Sequence, residues 1–168
     1  MSNEDEILNR MAQMHVMMRQ KIANGEWQAI GVGASETTPS FMYTVGLPEI
    51  YGHPELIVVG TSQQGGYHLI ATLVEMIKTK ALTVPFKFPD IVENDKGDVP
   101  IRVEHCKPEV IQQWFTQGIQ IKEHADFSAI QIVWPDYHTK WPDEVGFDEP
   151  NRQPCLFELN ADIIKLNS

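Results

Sequence analysis

The chain has 168 residues, of which 42% are hydrophobic, and a formal net charge of −10. That length and composition are enough to build one hydrophobic core, which predicts a single domain. No apolar run approaches the roughly 20 residues of a membrane helix, and the lysines and arginines are scattered singly, so neither a membrane nor a nucleic acid is an expected partner. Residues 90–168 carry −8 of the charge, which indicates an acidic surface that either keeps the protein soluble or attracts a basic protein partner.

The start of the chain and the cysteine usage indicate a compartment. The first ten residues, MSNEDEILNR, are acidic where a secretory signal would be basic. Cys106 and Cys155 are too few to form a stabilising disulfide framework. We therefore predict a cytoplasmic protein with two free thiols.

The first element along the chain is a methionine-rich helix. Ser2 or Asn3 caps it, its apolar residues recur at helical spacing, and Gly25 ends it. Its apolar stripe predicts either packing on the sheet of the same domain or, because methionine adapts to irregular surfaces, a binding face. The other elements predicted before residue 81 are strands at 27–32, 41–47 and 56–60 and a helix at 67–80.

The second half of the chain predicts further strands and one more helix. Its predicted elements are strands at 84–88 and 99–106 joined by an acidic turn, a helix from Lys107 to Gly118, a strand at 127–134, an ordered loop at 135–154 and a last strand at 155–159. The predicted fold class is therefore α+β, with a mainly antiparallel sheet and about three packed helices. We expect residues 1–26 to form an N-terminal helix that packs on a single domain at 27–168.

Candidate catalytic residues gather around the loop between the strands at 41–47 and 56–60. His53 and Glu55 lie in that loop and, together with Asp136, are residue types that move protons. A hydrogen-bonded structural role for His53 is the competing interpretation. The histidines lack the spacing of zinc ligands, so we predict no metal site and no cofactor.

The tripeptide Trp134-Pro135-Asp136 recurs as Trp141-Pro142-Asp143. Large aromatic residues surrounded by charge are frequent in binding hot spots, although they also serve as structural anchors. The predicted partner-binding residues are Asp136, Trp141, Asp143, Glu144, Asp148 and Glu149.

Four segments, YTVGL, GHPELIVVG, IQIVWPD and RQPCLF, occur in this order. Because of these segments, the chain resembles the bacterial domain of unknown function 4262 over roughly residues 27–157. The resemblance implies no particular activity. Where members of that family tend to follow the second proline with another tryptophan, this chain has Asp143. The resemblance implies a shared pocket or scaffold that contains Tyr43, Thr44, His53, Glu55, Gln131 and Trp134.

Two functional hypotheses follow from these observations. The first is a small acidic protein-binding module, of which an immunity-type inhibitor that neutralises a bacterial toxin is one example. The alternative is a small enzyme or ligand-binding protein with a pocket formed by His53, Glu55, Gln131 and Asp136. Because no complete catalytic motif is present, the sequence leaves enzymatic activity undecided and favours binding. The pocket hypothesis predicts that His53 meets Asp136 and that this carboxylate raises the histidine pKa.

Overall fold

A computed structural model describes residues 2–79, 90–93, 100–123, 127–136, 138, 140–148 and 153–157. The predicted strand at 84–88 and the predicted binding residue Glu149 lie outside these described residues. None of the helices in the described ranges is both long and apolar enough to cross a membrane.

A six-stranded sheet forms the centre of the described structure. Its strands are β1 (Gln28–Val32), β2 (Phe41–Val45), β3 (Glu55–Val59), β4 (Asp90–Glu93), β5 (Pro100–His105) and β6 (Ala129–Val133). They are ordered β1-β2-β3-β6-β5-β4, and each neighbouring pair is antiparallel except β3 and β6, which are parallel. The α+β class and the mainly antiparallel sheet are confirmed, and one parallel pair makes the sheet mixed.

The described residues contain more helices than the three predicted. The helices are α1 (Asn3–Ala23), α2 (Leu47–Tyr51), α3 (Gln63–Lys78), α4 (Pro108–Trp114) and α5 (Thr116–Lys122). The prediction that one helix ends at Gly118 is wrong, because the break falls at Phe115 and Gly118 lies inside α5. A Cβ atom on Gly118 would lie 2.9 Å from the Tyr43 ring and 3.1 Å from Phe127. Glycine therefore lets α5 approach the sheet closely and does not end the helix.

Two apolar layers cover the two faces of the sheet. Alternate residues of a strand point to opposite faces, so Ile57 packs with Phe115 on one side while Val58 packs with Ile70 on the other. The first layer lies beneath α1, α4 and α5, and the second lies beneath α3. Strands β2, β3 and β6 are buried at every position because both of their faces are covered.

Helix α1 packs on this framework mainly through its second half. The Ser2 side chain and Asp5 form a capping box at its start, as the sequence predicts. Met18 and Ile22 pack against the core, and His15 is buried. Earlier in the helix Leu8 is 63% exposed. The methionine-rich stripe therefore contacts the domain over only part of its length.

The segment at 153–157 is not a strand, so the prediction of a strand from Cys155 is wrong for these described residues. Its backbone bonds elsewhere: the Leu156 N–H donates to the side-chain oxygen of Gln131 at 2.7 Å, and the Leu156 carbonyl accepts from the Lys107 N–H at 2.8 Å. The Gln131 side chain and the Lys107 N–H thus supply the hydrogen bonds to Leu156 that a neighbouring strand would otherwise supply.

Candidate functional site

Glu55 is the centre of a buried polar cluster at the start of β3. Its Oε2 accepts a hydrogen bond from the Gly46 N–H at 2.8 Å, and its Oε1 accepts from the Leu47 N–H at 3.0 Å and from the Thr44 hydroxyl at 2.9 Å. The first N–H groups of a helix have no partner within the helix, and a carboxylate is favoured there. Glu55 therefore fixes the start of α2 against β3.

Lys122, the last residue of α5, supplies the cation of this cluster. Its Nζ lies 3.5 Å from Glu55 Oε2, 2.9 Å from Glu49 Oε1 and 4.7 Å from the centre of the Phe127 ring, while only 3% of the side chain is exposed. Sequence reasoning missed Lys122 because it lies in an ordinary helical segment far along the chain from Glu55. We refer to Thr44, Glu49, Glu55 and Lys122 as the Glu55 cluster.

Burial determines the protonation chemistry of this cluster. Desolvation raises the pKa of Glu55 to about 7, although the Gly46 N–H, Lys122, the Leu47 N–H and Thr44 all act to lower it. A carboxyl group that titrates near neutrality could exchange a proton. Because Glu55 is 0% exposed, no substrate can touch it in this conformation.

His53 and Tyr43 lie close to the cluster in the sequence and are likewise buried. The Nδ1–H of His53 donates to the Pro54 carbonyl at 2.7 Å, and the Tyr43 hydroxyl accepts from the Gly118 N–H at 3.0 Å. Desolvation lowers the pKa of His53, and desolvation raises that of Tyr43 to about 12. The expectation that a carboxylate raises the His53 pKa is therefore wrong.

The parallel pairing of β3 with β6 keeps His53 away from Asp136. Glu55 is aligned with Ala129 and Val58 with Ile132, so the two strands run in the same direction. His53 precedes β3, whereas Asp136 follows β6, and the two residues thus lie at opposite ends of the pair. The predicted pocket of His53, Glu55, Gln131 and Asp136 does not assemble.

Asp136 organises its own loop. Its Oδ1 accepts from the backbone N–H groups of His138 at 2.8 Å and Lys140 at 2.9 Å, and its Oδ2 accepts from that of Asp148 at 2.8 Å. Desolvation acts to raise the pKa of Asp136, but these three donors outweigh it and the pKa lies below its ordinary value. The carboxylate holds the two ends of the loop together.

Arg102 fastens the same loop to the sheet. Its Nε lies 2.7 Å from Glu104 Oε1 and its Nη2 lies 3.0 Å from Asp143 Oδ2, and the three side chains are at most 10% exposed. The guanidinium also stacks over Trp141 at 5.1 Å and Phe157 at 5.4 Å. We refer to Arg102, Glu104, Asp143, Trp141 and Phe157 as the Arg102 cluster. The i, i+2 spacing of Arg102 and Glu104 on a strand is the sequence signal for this cluster, because it places both on one face.

Two glutamines complete the support of this region. The Nε2 of Gln131 donates to the Pro154 carbonyl at 2.9 Å while its Oε1 accepts from Leu156. Gln153 bonds to both the N–H and the carbonyl of Trp134, at 3.2 and 3.0 Å. Gln131 and Trp134, predicted as pocket residues, therefore hold the segment at 153–157 against the sheet.

Comparison with known proteins identifies a family for this chain. The family model for the domain of unknown function DUF4262 matches residues 21–148, which is more than half of the chain. The chain belongs to the DUF4262 family. No curated protein and no solved structure matches it.

The DUF4262 match includes the Glu55 cluster and all of the Arg102 cluster except Phe157, and it ends before the segment at 153–157. Within the described residues of this DUF4262 domain, no group of three or more histidine, cysteine or acidic side chains could hold a metal ion. The motif residues Thr44, Glu55, Gln131 and Trp134 form hydrogen bonds within the domain and support its fold.

The predicted partner-binding residues of the DUF4262 chain have different positions. Asp143 is buried, so the expectation that it contributes to an exposed acidic surface is wrong, because Arg102 draws its carboxylate inward. Glu144 accepts from the Trp141 N–H at 2.7 Å and is half-buried. Asp148 is exposed, and Val145 at the loop tip is 44% exposed.

Proposed function

We propose that this DUF4262 chain is a protein-binding module that works in the cytoplasm and receives its partner on helix α1. The observation that carries the proposal is the exposure of large apolar side chains on that helix. They are Ile7 at 51%, Leu8 at 63%, Met14 at 41%, Val16 at 44% and Met17 at 57%. Single exposed apolar residues are ordinary, whereas a group of them on one element is typical of an interaction surface.

The mode of binding follows from the shape of the surface. Helix α1 has 21 residues and is anchored by Met18 and Ile22, and Ile7 and Met14, seven residues apart, lie on one side of it. Such a helix binds by placing its apolar side chains in a hydrophobic groove of its partner. The flexible side chain of Met14 can adapt to that groove.

The charge of the chain favours a basic protein as the partner. The net charge is −10, and Glu4, Asp5 and Glu6 form the first turn of α1 beside the apolar residues. Opposite charge around an apolar centre accelerates association and disfavours acidic competitors. A bacterial toxin held by an immunity-type inhibitor is one partner of this kind. Cys106 and Cys155 are free thiols, which suits the reducing cytoplasm.

A second candidate, the binding of a small ligand near His53 and Glu55, is favoured by the raised pKa of Glu55, since such shifts concentrate at functional sites. It requires an opening motion, because His53 and Glu55 are at most 1% exposed. A ligand that protects the Thr44 and Glu55 amides from hydrogen exchange would support this candidate. Unchanged exchange with every ligand that binds the protein would exclude it.

The test of the α1 surface uses purified components. A partner captured from the native cell is identified and purified, and its binding kinetics are measured with Ile7→Ser combined with Met14→Ser. We expect affinity to fall more than tenfold, since an anchor in a groove contributes about 2 kcal/mol. Glu75→Gln with Glu109→Gln, two exposed acids on other helices, is the control for nonspecific charge effects.

A third variant, Val145→Ser with Asp148→Asn, distinguishes α1 from the loop closed by Asp136. Loss of binding in this variant, with normal binding by the α1 variant, would transfer the interface to the loop and contradict the proposal. Equal binding by all variants would contradict it as well. Circular dichroism of each variant confirms that the fold is kept.

A further inference from the structure

A groove lined by aromatic residues lies beside β1, and none of its described lining residues belongs to the Glu55 or Arg102 cluster. It has a volume of about 630 Å³, and its walls include Glu26, Trp27, Tyr51 and Tyr67. Trp27 and Tyr67 stack with their ring centres 6.0 Å apart at an angle of 23°, and Tyr67 is 51% exposed. The two rings cover each other's facing sides, so the exposed ring of Tyr67, backed by Trp27, and a carboxylate border one open space.

This combination of groups selects a cation. Aromatic faces attract positive groups through the quadrupole of the ring, with tryptophan the strongest, and arginine is the most frequent partner. A planar guanidinium can lie on an aromatic face and still donate hydrogen bonds to a carboxylate, whereas an ammonium is a compact point charge. Glu26 is exposed at the rim of the groove, where it would meet such a donor.

The groove continues beyond the space that one side chain fills. A second groove of about 680 Å³ shares Tyr67 and extends along the start of α3 past Ser62, Gly65 and His68. Strand β1 lies at the edge of the sheet, so one side of its backbone faces away from β2. A trench bordered by a sheet edge accommodates an extended peptide better than an isolated small molecule.

We propose that this trench is a recognition site for an arginine in an extended basic peptide, with the exposed ring of Tyr67, backed by Trp27, receiving the guanidinium and Glu26 neutralising its charge. The site is separate from the α1 surface, and it adds a sequence preference to the general attraction of a chain with a net charge of −10. Its failure and the failure of the α1 interface are therefore measured independently.

The test is an NMR titration with blocked pentapeptides of glycine that carry one central arginine or one central citrulline. Citrulline has nearly the same shape as arginine but no charge. We expect the arginine peptide to shift the Trp27 indole N–H signal, which Trp27→Phe assigns, and to bind about tenfold more tightly than the citrulline peptide. Equal affinity for the two peptides would overturn the proposal.

Protein variants locate the binding position. Tyr67→Ala should weaken the arginine peptide several-fold, Tyr67→Phe should keep the affinity because the ring remains, and Glu26→Gln should reduce both the affinity and its dependence on salt. Glu36→Gln, an exposed acid in the loop after β1, is the matched control and should bind as the wild type does. Wild-type affinity in Tyr67→Ala would contradict the site, and equal affinity for free arginine would contradict the extended peptide.

Discussion

The Glu55 and Arg102 clusters have the same charge composition and different consequences for the fold. Each contains one cation and two carboxylates, and they lie towards opposite ends of β6, since Glu55 is aligned with Ala129 and Arg102 with Val133. In the Glu55 cluster, backbone N–H groups donate two of the three hydrogen bonds that the Glu55 carboxylate accepts. In the Arg102 cluster, one guanidinium bridges both carboxylates.

That difference predicts how each cluster responds to loss of its cation. Without Lys122, Glu55 still accepts three hydrogen bonds, and Glu49 is 37% exposed and can be hydrated. Without Arg102, two carboxylates that are at most 10% exposed lose the cation between them, and the aromatic rings lose the group on which they stack. Buried negative charge is thus better tolerated where the backbone supplies the donors.

The largest effect should come from Arg102→Met, which removes the charge and keeps much of the volume. We expect the free energy of unfolding in urea to fall by about 3–5 kcal/mol, as for other broken buried ion pairs. Arg102→Lys should recover only part of it, because an ammonium lacks the planar fork. Arg10→Met on the exposed face of α1 is the control, with an expected change within about 0.5 kcal/mol. An equally small change for Arg102→Met would contradict the role of the cluster.

Glu55 should make stability depend on pH. Its folded pKa is about 7 against an ordinary value of 4.5, so between these values the folded state binds more protons than the unfolded state. The stabilisation is therefore complete below pH 4.5 and is lost as the pH rises through about 7, by at most about 3 kcal/mol. Urea unfolding of the wild type and of Glu55→Gln isolates this contribution, because the variant lacks it.

His53 opposes that trend, and its contribution can be separated. Its pKa is lowered in the folded state by desolvation, so it stabilises above its ordinary value of 6.5 and loses that contribution as the pH falls. The His53→Gln variant keeps the Glu55 trend and lacks the histidine trend. Parallel pH profiles for the wild type and Glu55→Gln would show that Glu55 does not titrate in this range.

Removal of the other cation, in Lys122→Met, should cost less than removal of Arg102. We expect about 2 kcal/mol at pH 8, below the usual loss for a buried pair, because backbone donors still stabilise Glu55. At pH 5 the loss should shrink, since a protonated Glu55 no longer needs a cation. A loss as large as that of Arg102→Met and independent of pH would show that the two clusters are equivalent.

The smallest change in global stability should come from Asp136→Asn. The amide retains one acceptor oxygen in place of two, so at least one of the N–H groups of His138, Lys140 and Asp148 loses its bond. We expect faster hydrogen exchange at these amides while exchange in β6 is unchanged, because the loop opens locally. Asp148→Asn keeps the backbone donor at 148 and is the control. Unchanged exchange at all three amides in Asp136→Asn would contradict the closing role.

Local patterns predicted the elements whose signals are local. The cap at Ser2, the helical spacing of α1 and the apolar runs of β2 and β3 each lie within one segment, and the structure confirms them. Helix α2 was missed because it has five residues with Pro48 in its first turn, and its stabilising carboxylate is Glu55, on the next strand. The parallel pairing of β3 with β6 was also missed, since strand order depends on distant contacts.

The candidate site could likewise be predicted only in part from the sequence. The family resemblance identified Tyr43, Glu55 and Gln131 as important residues, but their chemistry depends on partners that side-chain spacing does not reveal. Those partners are mostly backbone groups, such as the Gly118 N–H for Tyr43 and the Pro154 carbonyl for Gln131. Residue types that are common in catalysis therefore have structural roles here.

The parallel pairing of β3 with β6 affects the nascent chain during translation. Strands β1, β2 and β3 leave the ribosome as a consecutive antiparallel unit, but the second edge of β3 is covered only after residue 133 has been made. Until then the apolar sequence ELIVV presents open backbone hydrogen-bonding groups. Translation speed and chaperones that shield strand edges should therefore set the yield of the protein in cells.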